Sequence, residues 1–442
     1  MNNNNLPTVN VIGAGLAGCE AAWQLARRGV NVRLYEQKPN KKSAAHNSNL
    51  FAELVCSNSL KANRIASAAG MLKQELRLMH SLLIACADEC SVPAGGALAV
   101  NRELFAQKVT DAIMQHPNIT VVAEEVSEIP TDEVTIIATG PLTSDALSKS
   151  IAKSFNNSLY FFDAAAPIVS AESVDMEFAF YASRYDNGGE TDYLNCPLNK
   201  AEYEEFYEAI ISAQRAHLHS ADESLHKVYE GCMPIEVLAT RGKDTMRFGP
   251  MKPVGLVNPK TGHRPWAALQ LRKEDAAGTM FNLVGFQTNL KFGEQQRVFG
   301  LIPALKNAEF LRFGVMHRNT FLDSPRVLNS SYKTKADLPL FFAGQITGVE
   351  GYVESISSGL MAGINAYNFL TGQPLVTLPP QTMTGALSRY ISDEFVKDFQ
   401  PMGANLGVLP MLQEQIRDKR QRAEALAQRG LEILQKDFAE LL

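Results

Sequence analysis

The sequence lacks the features of a secreted or membrane-spanning protein. No apolar run approaches the roughly 18 to 20 residues that a membrane span requires. Residues 1–5 are polar, and no basic segment leads into an apolar stretch with a small-residue cleavage site. We therefore expect a cytoplasmic protein without a signal peptide or a membrane anchor.

Cysteine is scarce, with 6 in 442 residues, and no two form a CxxC pair. This spacing argues against a disulfide framework and against a tetrahedral zinc site, so we expect no metal. Cys86 and Cys90 lie on one apolar stripe of a predicted helix over 70–90, and Cys19 lies in an earlier predicted helix. These three thiols are expected to pack in the core.

An excess of positive charge is also absent, since the formal net charge is −5. The charge is uneven, however, because ten Lys or Arg residues and only four acids lie within 241–297. Such a cluster can supply phosphate contacts to a nucleic acid, although most clusters are only solvated faces. The candidate nucleic-acid-binding residues are Arg241, Lys243, Lys252, Arg264 and Arg272.

The amino-terminal segment predicts a strand, a glycine turn, a helix and a second strand. The turn reads Gly13-x-Gly15-x-x-Gly18, and Glu36 ends the second strand 18 residues after Gly18. The first glycine permits the tight turn, the second lets the backbone approach a pyrophosphate, and the third lets the helix pack closely. The carboxylate can accept hydrogen bonds from a ribose. This pattern predicts a dinucleotide-binding βαβ unit, but it does not decide between FAD and NAD.

Two later segments favour FAD. Residues 136–140 read IIATG, which resembles the strand and ATG turn of FAD proteins of the glutathione-reductase type, and Gly140 is its glycine. Residues 340–351 read LFFAGQITGVEG and look like the second FAD segment of those proteins. An acid often follows the glycine there, whereas Gln345 follows Gly344 in this chain.

The pattern of predicted elements is that of an α/β fold with an insertion. We expect a glutathione-reductase-type Rossmann FAD-binding domain in two parts, 1–177 and 300–442, and an inserted α+β domain over 178–299, whose basic cluster makes it the candidate for binding a nucleic-acid substrate. The second part of the FAD-binding domain is expected to end in a charged helical tail.

Two cysteines are candidates for reactive thiols. Cys56 lies in a turn-rich stretch, and Cys232 lies two residues before Pro234, which suits the first turn of a helix. A cysteine just before a helix has a lowered pKa and therefore more thiolate. Their spacing alone leaves a reactive and a structural role equally open.

Taken together, the motifs resemble the bacterial folate- and FAD-dependent tRNA (uracil-5-)-methyltransferases. The matches follow the family's order from near the first residue to about Gly363. Its relatives include the larger flavoproteins that modify the wobble uridine of tRNA. The matching segments are VIGAGLAGCEAAWQLARRG, FAELVCSNSL, VPAGGALAVNRE, IIATGPLTS, YLNCP, EGCMPIE, FGPMKPVGL, GVMHRNT and AGQITGVEGYVES.

The resemblance implies a reaction. NAD(P)H reduces FAD, 5,10-methylenetetrahydrofolate supplies a one-carbon unit, and the product is 5-methyluridine in the T-loop of tRNA. Carbon 5 of uracil is a poor nucleophile until a thiolate adds to carbon 6. In this resemblance Cys232 and Cys56 match the family's two functional cysteines, and Cys232 is interpreted as the nucleophile. His317 and Tyr352 match positions that contact folate or flavin, and Arg318 and Asn319 could hold folate or phosphate.

Three other interpretations remain open at this point. The same chemistry could act on a ribosomal RNA uridine, because the motifs describe the cofactor and the base chemistry only. The chain could instead be a flavin oxidoreductase of a small metabolite with structural cysteines. It could also be an RNA-binding flavoprotein subunit without transfer chemistry. The preference for NADH or NADPH and the oligomeric state are not predicted.

Overall fold

A computed structural model describes residues 6–43, 46–155, 158–164, 166–184, 192–216, 233–274, 278–314, 316–396 and 399–441. For 158–164, 316–319 and 440 it describes the backbone alone. Among these residues no helix is both long enough and apolar enough to cross a membrane.

The described residues form sixteen strands, numbered here in chain order. They are β1 (Val9–Ile12), β2 (Val32–Tyr35), β3 (Ser59–Ala62), β4 (Ser91–Val92), β5 (Ala97–Val100), β6 (Ile119–Val122), β7 (Thr135–Ile137), β8 (Ser158–Ala164), β9 (Ile168–Ser170), β10 (Phe180–Tyr181), β11 (Tyr193–Leu198), β12 (Ala267–Lys273), β13 (Met280–Leu283), β14 (Phe310–Arg312), β15 (Met316–Leu322) and β16 (Leu340–Phe342).

The same residues form thirteen α-helices. They are α1 (Leu16–Ala26), α2 (Ala68–Leu78), α3 (Leu82–Glu89), α4 (Arg102–Gln115), α5 (Asp145–Phe155), α6 (Lys200–Ser212), α7 (Ile235–Thr240), α8 (Thr245–Phe248), α9 (Phe292–Phe299), α10 (Ser324–Val327), α11 (Tyr352–Leu370), α12 (Met383–Tyr390) and α13 (Lys419–Asp437).

A five-stranded parallel sheet in the order β16-β7-β1-β2-β6 forms the first layer. Its central strand β1 is buried along its whole length, as parallel strands covered on both faces are. Helices α1 and α11 approach each other closely, because a Cβ added at Gly359 would lie 2.2 Å from the carbonyl oxygen of Ala17. This sheet and its helices confirm the predicted Rossmann-type α/β fold.

A six-stranded antiparallel sheet in the order β10-β11-β12-β13-β9-β14 forms the second unit. Helix α6 begins with a capping box in which Asn199 and Glu202 satisfy each other's backbone N–H groups. Its apolar face meets a core that includes Phe206, Phe286 and Phe299, all with 0% exposure. Each such ring stabilises the unit by about 2 to 3 kcal/mol relative to leaving it exposed.

The strand pairings of this second unit reach beyond the predicted insertion over 178–299. Strands β9 and β14 lie outside that range; β9 pairs with β13, and β14 pairs with β9 at the edge of the sheet. Backbone hydrogen bonding across a long insertion leaves no local signal in the sequence. The division at 178 and 299 stays a prediction, and we propose 166–314 as the range of the inserted unit.

The prediction of one helix over 70–90 is wrong, since α2 and α3 are separate. His80 adopts a positive φ of 55°, which ends α2. The Ser81 hydroxyl oxygen accepts a hydrogen bond from the Ile84 N–H and starts α3. The same hydroxyl donates to the buried carboxylate of Glu20 on α1 at 2.7 Å. The apolar stripe continues across both helices, so the periodicity alone could not reveal the break.

Candidate functional site

A pocket with a cavity volume of about 170 Å³ opens at the carboxyl ends of the parallel strands. Ligands of open α/β sheets bind at this edge, because the loops that follow the strands converge there. Six of the seven predicted cofactor-binding residues line it, namely Gly13, Gly15, Glu36, Gly140, Gly344 and Gln345. The structure therefore brings together residues that are more than 300 positions apart in the chain.

Two glycines of the turn have different roles: Gly18 allows close packing, and Gly15 leaves the backbone accessible from the pocket. A Cβ added at Gly18 would lie 1.8 Å from the carbonyl oxygen of Gly13, so Gly18 lets α1 pack against the turn. A Cβ at Gly15 would meet nothing within 4 Å, so at this position the backbone faces open space. Gly18 is the one predicted cofactor residue that lies beneath the pocket and not in its wall.

Glu36 directly follows β2, and its carboxylate binds the backbone of the glycine turn through a hydrogen bond. Its Oε2 accepts a hydrogen bond from the backbone N–H of Ala14 at 2.9 Å, and its Oε1 accepts one from the N–H of Lys38 at 3.0 Å. The carboxylate is almost fully buried, but it lines the pocket. Each oxygen can accept a further hydrogen bond, because an ionised carboxylate offers about four lone-pair sites.

Gln345 occupies the position after the glycine of the second segment. Its amide Nε2 donates to Glu350 Oε2 at 2.6 Å, and the preceding Gly344 N–H donates to the Ser358 hydroxyl at 2.6 Å. The acid that often follows this glycine is absent, but the carboxylate of Glu350, five residues later, binds the Gln345 amide. This arrangement holds the turn rigid and leaves Gln345 lining the pocket beside Tyr352.

Tyr352 joins the Cys56 loop to this pocket. Its phenol oxygen accepts hydrogen bonds from the backbone N–H of Cys56 at 2.8 Å and from that of Ser57 at 3.1 Å. Burial raises the pKa of Tyr352 well above its usual value, and the nearby Cys56 raises it further. Tyr352 and Cys56 both line the pocket, so a candidate nucleophile lies in the same cavity as the glycine turn.

Two arginines that the sequence analysis missed lie near Cys56. Arg102 donates to the carbonyl oxygen of Leu54 at 2.9 Å. Burial lowers the pKa of Arg312, the neighbouring Arg102 lowers it further, and Cys56 acts in the opposite direction. Cations near a thiol favour its thiolate form. Arg102 lies in one of the family-like segments, whereas nothing in the local sequence pointed to Arg312.

The inserted unit is attached to the Cys56 loop through the end of β12. Arg272 Nε donates to Asn58 Oδ1 at 2.9 Å, and its Nη2 donates to the Ser57 hydroxyl at 2.7 Å. Asn58 Nδ2 in turn donates to the backbone oxygen of Lys273 at 2.9 Å. Glu274 follows and forms a buried ion pair with Arg102 at 2.6 Å.

Arg272 is therefore not part of an exposed basic surface, and that interpretation is wrong. Its guanidinium is buried, with 6% exposure, because it binds the Cys56 loop within the protein. Arg241, Lys243 and Arg264 are exposed, and Lys252 is half-buried. Lys243 forms an ion pair with Glu204 at 3.0 Å on the surface. The remaining candidates can still reach a macromolecule outside the protein.

The structure does not describe the side chains of two predicted site residues, so their positions relative to the pocket stay predictions. Cys232 lies outside the described residues, although Pro234 is the residue before α7, as the sequence predicted. His317 lies in β15, whose backbone pairs with β8, and its side chain is outside the description. The same holds for Arg318 and Asn319.

The cysteines assigned to packing are buried, which confirms that prediction. Burial raises the pKa of Cys86 to about 11 and raises the pKa values of Cys19 and Cys90. A thiol with a raised pKa is a poor nucleophile at neutral pH. Within the described part of the chain, no group of three or more His, Cys, Asp or Glu side chains could hold a metal ion.

Known proteins resemble this chain over nearly its full length. A protein of Bacillus velezensis is 56% identical over 432 residues, covering 98% of each chain, and one of Acetivibrio thermocellus is 56% identical over 429 residues, covering 97% of this chain and 98% of its own. Both are named methylenetetrahydrofolate–tRNA-(uracil-5-)-methyltransferase. The family described as glucose inhibited division protein A matches residues 8–374.

Among solved structures, Aquifex aeolicus GidA superposes with a TM-score of 0.70 at 15% identity, covering 98% of this chain and 75% of that one. Together with the parallel sheet and its pocket, this likeness defines an α/β protein of the Rossmann type. The high identity over the whole chain narrows the class further. The chain belongs to the methylenetetrahydrofolate–tRNA-(uracil-5-)-methyltransferases, within the glucose inhibited division protein A family.

Proposed function

We propose that this chain transfers a one-carbon unit from 5,10-methylenetetrahydrofolate to carbon 5 of a T-loop uridine in tRNA, with FAD and NAD(P)H. The observation that carries the proposal is the position of Cys56 in the wall of the glycine-turn pocket, in a chain 56% identical to enzymes with that name.

FAD fits the pocket residues. Gly13 and Gly15 expose backbone to a pyrophosphate, and the N-terminus of α1 adds its dipole to the interaction. Glu36 is placed at the end of β2 to accept a ribose hydroxyl. Gly140, Gly344 and Gln345 line the same pocket as Cys56, and we assign them to the flavin. The bound cofactor supplies the reducing equivalents that convert the transferred carbon into a methyl group.

We assign the covalent step to the two cysteines. One thiolate, which we propose to be that of Cys232, adds to carbon 6 of uracil and places negative charge on carbon 5 and the carbonyl oxygen. Carbon 5 then bonds to the electrophilic methylene carbon and loses its proton to a base. The bond between that carbon and the folate nitrogen breaks and releases tetrahydrofolate. Reduced FAD, when bound, would supply the hydride that turns the methylene into a methyl group as the thiolate leaves carbon 6. Cys56 is proposed as the assisting acid or base, and Arg102 and Arg312 favour its ionised form.

The RNA contacts are proposed from the position of the basic side chains. Arg241, Lys243 and Arg264 are exposed and Lys252 is half-buried, and we propose that they contact the RNA backbone. His317 is proposed to contact folate from the resemblance to the family alone. The T-loop uridine is buried in folded tRNA, so the enzyme must accept a flipped base or an opened elbow. Because tRNA and reduced folate are the substrates, we infer that the chain works in the cytoplasm.

A labelling experiment tests this function together with the role of Cys56. Purified protein is expected to be yellow and to incorporate label from methylene-labelled tetrahydrofolate into unmodified tRNA only when NAD(P)H is present. Cys56→Ala is expected to retain FAD and to lose this activity by at least roughly 100-fold, as loss of an acid or base does. Cys86→Ala, a buried thiol remote from the chemistry, serves as the matched control. Near-normal turnover of Cys56→Ala would remove Cys56 from the mechanism.

A further inference from the structure

A second groove, remote from the cofactor pocket, lies on the inserted unit. Trp266 and Phe178 are both exposed in its wall, at 37% and 50%. Large aromatic side chains at the surface of a monomer commonly mark an interaction site when they share one concave surface. The lining also contains Pro197, Pro253, Pro265 and Pro303, whose rings restrict the backbone of the walls.

One ring in this groove is fixed by a stacked cation. The Arg247 guanidinium lies 3.8 Å from the centroid of the Trp266 ring. It is held there because its Nε donates to the Trp266 carbonyl oxygen at 3.0 Å and its Nη1 donates to Asp244 at 2.6 Å. Such a stack polarises the indole and prevents it from turning into the groove wall. The platform is therefore ordered before any ligand arrives.

The charge of the groove favours an anionic ligand. Four cations line it against two carboxylates; Arg247 is already paired with Asp244, and the carboxylate of Glu202 is engaged in the capping box of α6. Arg264 is exposed, and its guanidinium makes no hydrogen bond or ion pair with the described residues. The exposed ammonium of Lys200 lies 5.6 Å from the Trp266 centroid, within reach of a phosphate beside the ring. The four cations are Lys200, Arg247, Lys260 and Arg264.

Strand β12 connects this groove directly to the cofactor pocket. Trp266 immediately precedes the strand, whereas Arg272 near its other end binds the Cys56 loop. Six residues of extended chain span roughly 20 Å. A ligand that occupies both places must therefore be long, polyanionic and able to present flat rings.

We propose that the Trp266 groove binds an unpaired nucleotide of the RNA substrate by stacking, at a distance from the uridine that is methylated. A base stacks on Trp266 or Phe178, and Arg264 and Lys200 neutralise the adjacent phosphates. Sequence-tolerant stacking combined with cations is the ordinary way in which proteins hold single-stranded nucleic acid. This proposal rests on RNA being the substrate, and it adds a second contact point to the one at the cofactor.

An acidic peptide or a folate polyglutamate tail would form ion pairs with the cations but would not stack on the exposed rings. Neither offers a series of flat π-faces, whereas each nucleotide provides one ring and one phosphate. The pairing of a fixed indole with a free guanidinium therefore favours RNA. The other two ligands become outcomes of the experiment.

The test compares three variants in binding unmodified tRNA transcript. Trp266→Ala is expected to weaken binding roughly 5- to 150-fold, the range that the loss of one stacked base produces. Trp266→Tyr, which keeps an aromatic ring, is expected to recover most of the affinity. Phe248→Ala removes a ring that is 82% exposed outside the groove lining and is expected to bind like the parent. FAD content and melting temperature show that each variant folds.

The intrinsic fluorescence of Trp266 reports directly whether a ligand contacts this ring. The chain has only two tryptophans, so Trp23→Phe leaves Trp266 as the single indole. Addition of tRNA transcript to that variant is expected to quench and saturate the emission, whereas a polyglutamate peptide is expected to leave it unchanged. Quenching by the peptide but not by tRNA, or equal tRNA affinity of Trp266→Ala and the parent, would overturn the proposal. A rise in the KM for polyglutamylated folate with an unchanged KM for tRNA would overturn it as well.

These outcomes are separate from those of the proposed function. If tRNA is not methylated but still quenches Trp266 and loses affinity in Trp266→Ala, the groove binds RNA and the assigned reaction is wrong. If tRNA is methylated while Trp266→Ala binds it normally, the reaction stands and the groove proposal is wrong.

Discussion

Tyr352 shows how one side chain can position a candidate nucleophile. Its phenol oxygen accepts the N–H groups of both Cys56 and Ser57, so it sets the conformation of the backbone that carries the thiol. Resemblance to the family predicted that Tyr352 contacts folate or flavin, and its place in the pocket wall is compatible with this. The hydrogen bonds to the Cys56 loop were not predictable, because they join residues almost 300 positions apart.

We expect Tyr352→Phe to lower kcat while leaving the FAD content unchanged. The variant leaves two backbone N–H groups without their acceptor, which costs about 1 to 3 kcal/mol for a buried group and loosens the loop. Turnover is therefore expected to fall roughly 10-fold, and the pH dependence of alkylation of the Cys56 peptide is expected to shift. Mass spectrometry of that peptide measures the second effect.

Tyr390→Phe is the matched control for this prediction. The Tyr390 hydroxyl donates to the Gln400 carbonyl oxygen at 2.7 Å and does not line the pocket. The Tyr390→Phe variant removes the same phenol hydroxyl without altering the hydrogen bonds of the Cys56 loop. Equal turnover of the two variants, with an unaltered alkylation profile of Cys56, would show that Tyr352 has only a structural role.

At the scale of elements, helix periodicity predicted the apolar stripe of α2 and α3 but not the break between these helices. The break depends on Glu20 of α1, whose carboxylate accepts hydrogen bonds from the Ser81 hydroxyl and the Leu83 N–H. A second buried carboxylate, Glu75 on α2, plays a similar role for another helix. It accepts hydrogen bonds from the N–H groups of Met383 and Thr384 at the start of α12.

Glu75 should make the stability of this helix contact depend on pH. Burial raises the pKa of Glu75 to about 7 despite these hydrogen bonds. Because the folded protein binds this proton more tightly than the unfolded chain, the stabilisation is complete below about pH 4.5. It is lost as pH rises toward 7, by roughly 3 kcal/mol in total. We expect the melting temperature of Glu75→Gln to fall less than that of the parent between pH 5 and 8.

The control for Glu75→Gln is Glu432→Gln, at an exposed position on α13. This variant is expected to keep the pH dependence of the parent. If Glu75→Gln and the parent gave parallel curves of melting temperature against pH, the folded-state titration assigned to Glu75 would be wrong.

At the scale of the whole molecule, the two units are coupled at the Cys56 loop. The guanidinium of Arg272 crosses from the inserted unit to Asn58 and Ser57, and Glu274 pairs with Arg102 beside it. The sequence placed Arg272 in a basic cluster, because spacing cannot distinguish a buried arginine from an exposed one. The architecture, the glycine turn and the two FAD segments were predictable, since each depends on residues adjacent in sequence.

Arg272→Lys is expected to lower methylation of tRNA roughly 10- to 100-fold while FAD remains bound. A lysine cannot make the two directed hydrogen bonds of a guanidinium, and a displacement of about 1 Å near the reacting groups has effects of that size. Lys273→Gln changes the charge of the next residue without breaking the contact and is the control. Equal kcat values for the two variants would show that the contact does not support the chemistry.

The most direct test of the account is to map the nucleotide that the enzyme methylates. Unmodified tRNA and ribosomal RNA are incubated separately with the protein, NAD(P)H and methylene-labelled tetrahydrofolate, then digested and analysed by mass spectrometry. We predict label in one 5-methyluridine of the tRNA T-loop and none in ribosomal RNA. Label in ribosomal RNA alone, or no label in either RNA with FAD fully bound, would contradict the account.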